Sequence, residues 1–255
     1  IHCGLVGSEM CIRDSYPDAE IENELAVELM MEVYAKRNDL PGYYGWLGER
    51  GIAVSEQQKD STFWQPVQVA RDNGDCDLQI EKATYYLDNI SNPIKEISAH
   101  YYMATCYYTS GKKNEALYHY DFITTKPNNN YFTEALKYAG EITFDSENYK
   151  LALGHFSTLE NVGVKQEDLS LSKRGQMYCF YYLDNFQSTI IYAKKVLLLN
   201  HPNDKVVEDA NLFLANSYKE LGLLDSALIS YENVIATAKS EAAAEAKYLS
   251  LIHIS

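Results

Sequence analysis

Five stretches of this 255-residue chain repeat one pattern at a period of roughly 37 residues, and a repeat of that length restricts the fold more than any other feature. The register is set where a short turn meets the second of two amphipathic runs. Gln79, Ala116, Ala152, Thr189 and Ala227 hold the equivalent place, in steps of 37, 36, 37 and 38 residues. Around each lie an aromatic-rich run, a polar turn such as Ser110-Gly111-Lys112 or Leu221-Gly222-Leu223, and a second run. Apolar residues recur with the 3.6-residue period of a helix. Two helices per unit, stacked unit on unit, predict an all-α solenoid of antiparallel hairpins.

The two ends read differently. Leu249–Ser255 can be encoded by an oligonucleotide whose reverse complement, GGAGATGTGTATAAGAGACAG, encodes Glu9–Ser15 one base out of frame. This looks like a transposase adapter used in preparing sequencing libraries. Residues 1–15 and 249–255 are therefore set aside as an adapter-like artefact. The expected organisation is an N-terminal helical pair with a linker over 16–60, then about five repeats and a truncated sixth over 61–248. The half-hairpin near Ala242–Tyr248 would expose an apolar face, so self-association through the cut end is expected.

The pair is read as a helix over Asp18–Asn38, with Ile21, Leu25, Leu29, Met30 and Val33 on one stripe, and a second over Tyr43–Arg50 after Leu40-Pro41-Gly42. Gly51–Asp60 is polar and reads as linker. Repeat one is expected over Ser61–Ser91, its first helix starting near Thr62 so that Pro66 falls close to the first turn, where proline is tolerated. The following repeats are expected over Ile94–Thr125, Tyr131–Glu160, Leu169–Leu199 and Lys205–Ala238.

Within each unit the residues resemble the 34-residue tetratricopeptide repeat. That family has small residues at its eighth and twentieth positions and large apolar or aromatic ones at its eleventh, seventeenth and twenty-fourth. Repeat five supplies Ala215, Tyr218, Leu224, Ala227 and Tyr231. Repeat two supplies Ala104, Tyr107, Ala116 and Tyr120, and repeat three Gly140, Tyr149, Ala152 and Phe156. Repeat four departs further, with Met177, Phe180, Phe186, Thr189 and Ala193. The resemblance implies a right-handed superhelix, and its long repeats are similar to those of large bacterial members, some of which work in the cell envelope or periplasm.

Charge and motif content restrict function. The chain carries 22 Lys and Arg against 36 Asp and Glu, a formal −14. Nucleic acid is an unfavourable partner for such a surface, because phosphate recognition needs clustered cations, and Lys112-Lys113, Lys173-Arg174 and Lys194-Lys195 are scattered. No apolar run reaches membrane-spanning length. No phosphate loop, dinucleotide fingerprint, zinc-protease or nucleophile-elbow motif occurs. His100, His119, His155 and His201 are dispersed, so no metal, no cofactor and no catalytic residue is expected. Between the adapter-like ends are Cys76, Cys106 and Cys179, an odd number at wide spacing, which argues against a disulfide framework.

The resemblance also implies where a partner would sit. Family positions two, five, nine, twelve and thirteen of the first helices line the concave side. By register these are Ser98, Tyr101, Thr105, Tyr108 and Thr109 in repeat two, and Glu134, Lys137, Glu141, Phe144 and Asp145 in repeat three. Repeat four gives Leu171, Arg174, Tyr178, Tyr181 and Tyr182, and repeat five Asp209, Leu212, Asn216, Lys219 and Glu220. Trp64, Gln68 and Arg71 would join from repeat one if Pro66 permits. Tyrosine and arginine dominate binding hot spots. Tyr101, Tyr108, Lys137, Arg174, Tyr178, Tyr181, Tyr182 and Asn216 are therefore the candidate partner-binding residues. The expected function is a non-enzymatic scaffold holding a peptide or helix of another protein. The alternatives are a glycan-binding envelope protein, which would need exposed Trp or Tyr platforms on inserted loops, and a spacer within a larger protein.

Overall fold

The computed structural model describes residues 20–37, 39–199 and 204–237. The adapter-like ends and the expected half-repeat after residue 240 lie outside them. The described residues form twelve α-helices and no strand. They are α1 (Glu20–Lys36), α2 (Leu40–Glu49), α3 (Glu56–Asp72), α4 (Cys76–Asn89), α5 (Glu96–Thr109) and α6 (Lys113–Thr124). There follow α7 (Phe132–Asp145), α8 (Tyr149–Val162), α9 (Gln166–Tyr182), α10 (Phe186–Leu197), α11 (Asp204–Glu220) and α12 (Leu224–Thr237). The chain divides into two compact units, Ile1–Ala99 and His100–Ser255.

The repeat register is a structural one. Gln79, Ala116, Ala152, Thr189 and Ala227 are each the fourth residue of a second helix, and each is buried, the most accessible at 6%. Two residues before each second helix the backbone turns left-handed, at Gly74, Gly111, Glu147, Asp184 and Gly222, with φ between 55° and 76°. The same pair of backbone bonds closes every first helix. In repeat two, Gly111 N–H donates to the Tyr108 carbonyl and Lys112 N–H to that of Tyr107, and the other four turns repeat this spacing. This is the Schellman motif, which needs one left-handed residue, so glycine stands there three times. Asp75, Asn148 and Asn185 then cap the following helix by accepting from Leu78, Leu151 and Ser188 N–H.

Small residues follow from how closely the helices approach. Ala104, Ala116, Ala152, Ala215 and Ala227 are between 0% and 2% exposed. Replacing Ala116 or Ala227 with leucine should cost about 1–3 kcal/mol by overpacking. Thermal unfolding of both variants is the check, and unchanged midpoints would refute the register.

In the first unit Pro41 opens α2, with Asp39 accepting from Gly42 N–H at 2.9 Å. The helical pair packs on repeat one through the rings of Tyr44, Phe63 and Tyr85, with centroids 6.0 and 5.5 Å apart. The first helix of repeat one departs from expectation. It begins at Glu56, not near Thr62, so residues 56–60 are helix and Pro66 lies in its interior. The cause is a capping box. Ser55 accepts from Gln58 N–H at 3.2 Å, and the Gln58 side chain accepts from Ser55 N–H at 2.9 Å. The earlier start brings Asp60 inside, 4% exposed, where it accepts from the Tyr86 hydroxyl at 2.5 Å and from Ile94 N–H at 2.8 Å.

The cysteines also differ from expectation. Cys179 is free and buried, as a small core residue, and burial pushes its thiol up to about 12. The odd number and wide spacing argued against a disulfide framework, yet Cys76 and Cys106 are each disulfide-bonded.

Candidate functional site

In the second unit the first helices α5, α7, α9 and α11 follow one another, α9 touching both α7 and α11. Of the twenty positions that the family register assigns to the lined face of repeats two to five, none is buried. A charged band, Lys137, Glu141 and Arg174, lies towards the middle of α7 and α9. An aromatic edge, Tyr108, Phe144, Tyr181 and Tyr182, lies toward the C-terminal ends of α5, α7 and α9, beside the turns.

The charged band is internally paired. Burial raises the Glu141 carboxyl above its ordinary range, although Lys137 and Arg174 lie close enough to draw it down. Lys137 and Arg174 thus flank one acid on α7. Lys137 also lines a recess of about 350 Å³ with Glu134, Lys165 and Asp168. Lys113 Nζ donates to Asp145 Oδ2 at 2.6 Å.

The tyrosines are less available than their spacing suggests. Tyr101 stacks on Tyr131 at 4.1 Å and bonds to Glu134; burial first, and that acid second, raise its hydroxyl pKa. Tyr108 packs against Tyr138 with centroids 4.8 Å apart. Tyr178 donates to Asp209 Oδ2 at 2.5 Å, and its ring lies 5.9 Å from Phe144 and 5.4 Å from Phe213. Tyr181 stacks on Phe213 at 4.1 Å and 11°. Asn216 donates to the Tyr181 hydroxyl at 3.2 Å and accepts from Tyr231 at 2.6 Å, so its amide is engaged at both ends. These groups tie one repeat to the next. Tyr182 is the most open of the candidate tyrosines, 48% exposed, with its ring stacked on Tyr149 at 4.8 Å and 15°.

Repeat one contributes differently. Trp64 is 6% exposed and packs on Tyr86, so it is core, not a lining residue, while Gln68 and Arg71 are not buried. Trp46 stacks on Tyr43 and lies under the Arg50 guanidinium at 4.1 Å. Neither tryptophan is a free platform of the kind glycan recognition needs.

Two polar clusters had no sequence signal. Glu160 on α8 accepts from Gln176 at 2.7 Å and Tyr192 at 2.9 Å, with Lys195 Nζ at 3.3 Å. Burial would raise this carboxyl, but those two hydrogen bonds and the Lys195 charge outweigh it and hold the pKa low. His100 and His119 meet inside repeat two, Nδ1 to Nδ1 at 2.9 Å, both under 9% exposed. Among the described residues no group of three or more His, Cys, Asp or Glu could hold a metal, and no helix is long and apolar enough to cross a membrane.

No protein-family model matches the chain. No curated protein matches it either. Solved structures do. The crystal structure of MamA superimposes with a TM-score of 0.52 at 13% identity, over 71% of this chain and 92% of that one. The apo form of RapI gives 0.51 at 14%, over 98% of this chain and 75% of that one. A thermophilic TPR protein of Thermus thermophilus, TTC0263, aligns over 76% and 98% at 16% identity, with a TM-score of 0.39 that marks only a loose likeness. Likeness at these identities is likeness of fold: the chain is all-α, a run of stacked helical hairpins.

Proposed function

We propose that this protein is an interaction scaffold that holds an extended segment or helix of a partner protein along the face of α5, α7, α9 and α11. The supporting observation is the unburied set of twenty side chains on that face, with aromatic rings gathered at one edge. The formal charge of −14 makes nucleic acid a poor occupant. The two histidines that meet, His100 and His119, are buried and not open to a substrate.

A photo-crosslinking residue placed at Tyr182 tests the reading, with one at Tyr118 as control. Tyr118 is 69% exposed but lies on α6, a second helix. Adducts with a partner protein are expected from position 182 and not from 118. The reverse pattern would move the interface to the second helices.

A further inference from the structure

Five equivalent turn positions carry a left-handed residue, and three of them are glycine, the residue that adopts this backbone without strain. The other two are acidic: Glu147 at φ 60° and Asp184 at φ 55°. A left-handed residue with a Cβ is strained. These two turns close α7 and α9, the helices that end at the aromatic edge. Tyr182 is the last residue of α9 and Tyr149 the first of α8, so the stacked pair lies between the two turns. Phe144 wedges against both rings, at 5.3 Å from Tyr149 and 5.9 Å from Tyr182. Tyr149 stacks on the Tyr182 ring, Tyr181 and Phe213 meet it edge-on at 5.7 and 6.3 Å, and 48% of the residue is open.

Resting on the scaffold reading above, we infer that the Tyr182–Tyr149 platform receives an arginine side chain of the partner segment. The guanidinium lies on the Tyr182 ring, between the carboxylates of Glu147 and Asp184. Charge complementarity selects the occupant. The neighbouring cation Lys113 is already paired with Asp145 at 2.6 Å, and the lined face carries five acids against three bases. Lys150 follows Tyr149 on α8 and is about 100° further round the helix. A planar, weakly hydrated guanidinium stacks on an aromatic ring while presenting its edge N–H groups to carboxylates, which an ammonium does less well.

The test is fluorescence anisotropy with labelled nonapeptides that share a Ser/Pro/Leu background and differ at one central residue: arginine, its uncharged isostere citrulline, lysine or glutamate. The arginine peptide is expected to bind at least about tenfold more tightly than the citrulline peptide, with lysine between them, and added salt should weaken it. Tyr182→Ala should lose about five- to tenfold. Glu147→Gly and Asp184→Gly should each weaken the arginine peptide while leaving the citrulline peptide unchanged. Glycine suits the left-handed backbone, so a loss in these variants is not a folding defect. Equal binding of arginine and citrulline peptides, or full arginine affinity in the double glycine variant, would overturn the inference and leave the scaffold reading standing. Failure of all four peptides to bind would overturn the inference and count against this face as a peptide site.

Discussion

Truncating Phe156 to alanine should cost about 3–5 kcal/mol. Phe156 is 3% exposed and lies at the centre of a cluster with Leu136, Ala152, Leu159 and Cys179. Its ring is held between two glycines on different first helices. A methyl added at Gly140 of α7 would lie 2.8 Å from Cε1, and one added at Gly175 of α9 2.5 Å from Cδ2. The backbones on both sides are already as close as the ring allows, so the cavity left by alanine cannot collapse without moving two helices. The converse change is expected to hurt too. Gly175→Ala should cost about 1–3 kcal/mol, although alanine is the better helix former, because the ring has no free direction in which to move. Both tryptophans, Trp46 and Trp64, lie before residue 100, so denaturant unfolding should be followed by circular dichroism. A loss under about 1 kcal/mol for Phe156→Ala would show that the hairpins of repeats three and four are not clasped through this ring.

Acid should loosen the second unit well above the carboxylate range. Burial, and secondarily the neighbouring His100, lower His119 from 6.5 to about 4. The unfolded chain therefore binds a proton that the folded one refuses between those values. Stability is complete above pH 6.5 and falls as pH drops toward 4, by about 2 kcal/mol at pH 5, since a tenfold difference in proton affinity is worth about 1.4 kcal/mol. Burial lowers His155 too, and it adds to the loss in the same direction. Its Nε2 lies 3.4 Å from Asp121 Oδ1. Asp121 is raised by burial and acts in the opposite sense, lower in pH. His119→Gln keeps a hydrogen-bonding partner for His100 without a titrating ring. Its stability should vary less between pH 7.5 and 5 than that of the parent, by about 2 kcal/mol. Identical pH profiles for the two proteins would rule out the pair as the source.

Local signals reached some features and not others. The capping box at Ser55 and Gln58 is a sequence pattern, and it outweighed the argument that Pro66 must lie near a helix start. A helix fixed at its first turn and packed through Phe63 and Val67 accommodates an interior proline whose cost falls on one hydrogen bond. The acidic left-handed residues were not legible. Nothing local marks Glu147 as equivalent to Gly111 until the Schellman bonds are seen. Asn216 was expected to meet a partner, but its amide is spent on Tyr181 and Tyr231, 35 and 15 residues away.

By itself the sequence determined the hairpin architecture, the 37-residue register and the burial of the small anchor residues. Those depend on helical periodicity and on the space where two helices of one unit cross, and both repeat within a short window. Only the tertiary structure decided which tyrosines are mortar between repeats and which remain open. Tyr178, Tyr181 and Tyr182 sit within five residues of one helix, yet α11 occupies the first two through Asp209, Phe213 and Asn216 and leaves about half of the third exposed. Whether a ring is covered depends on the side chains that the next repeat presents, roughly 35 residues on, and no local pattern carries that information.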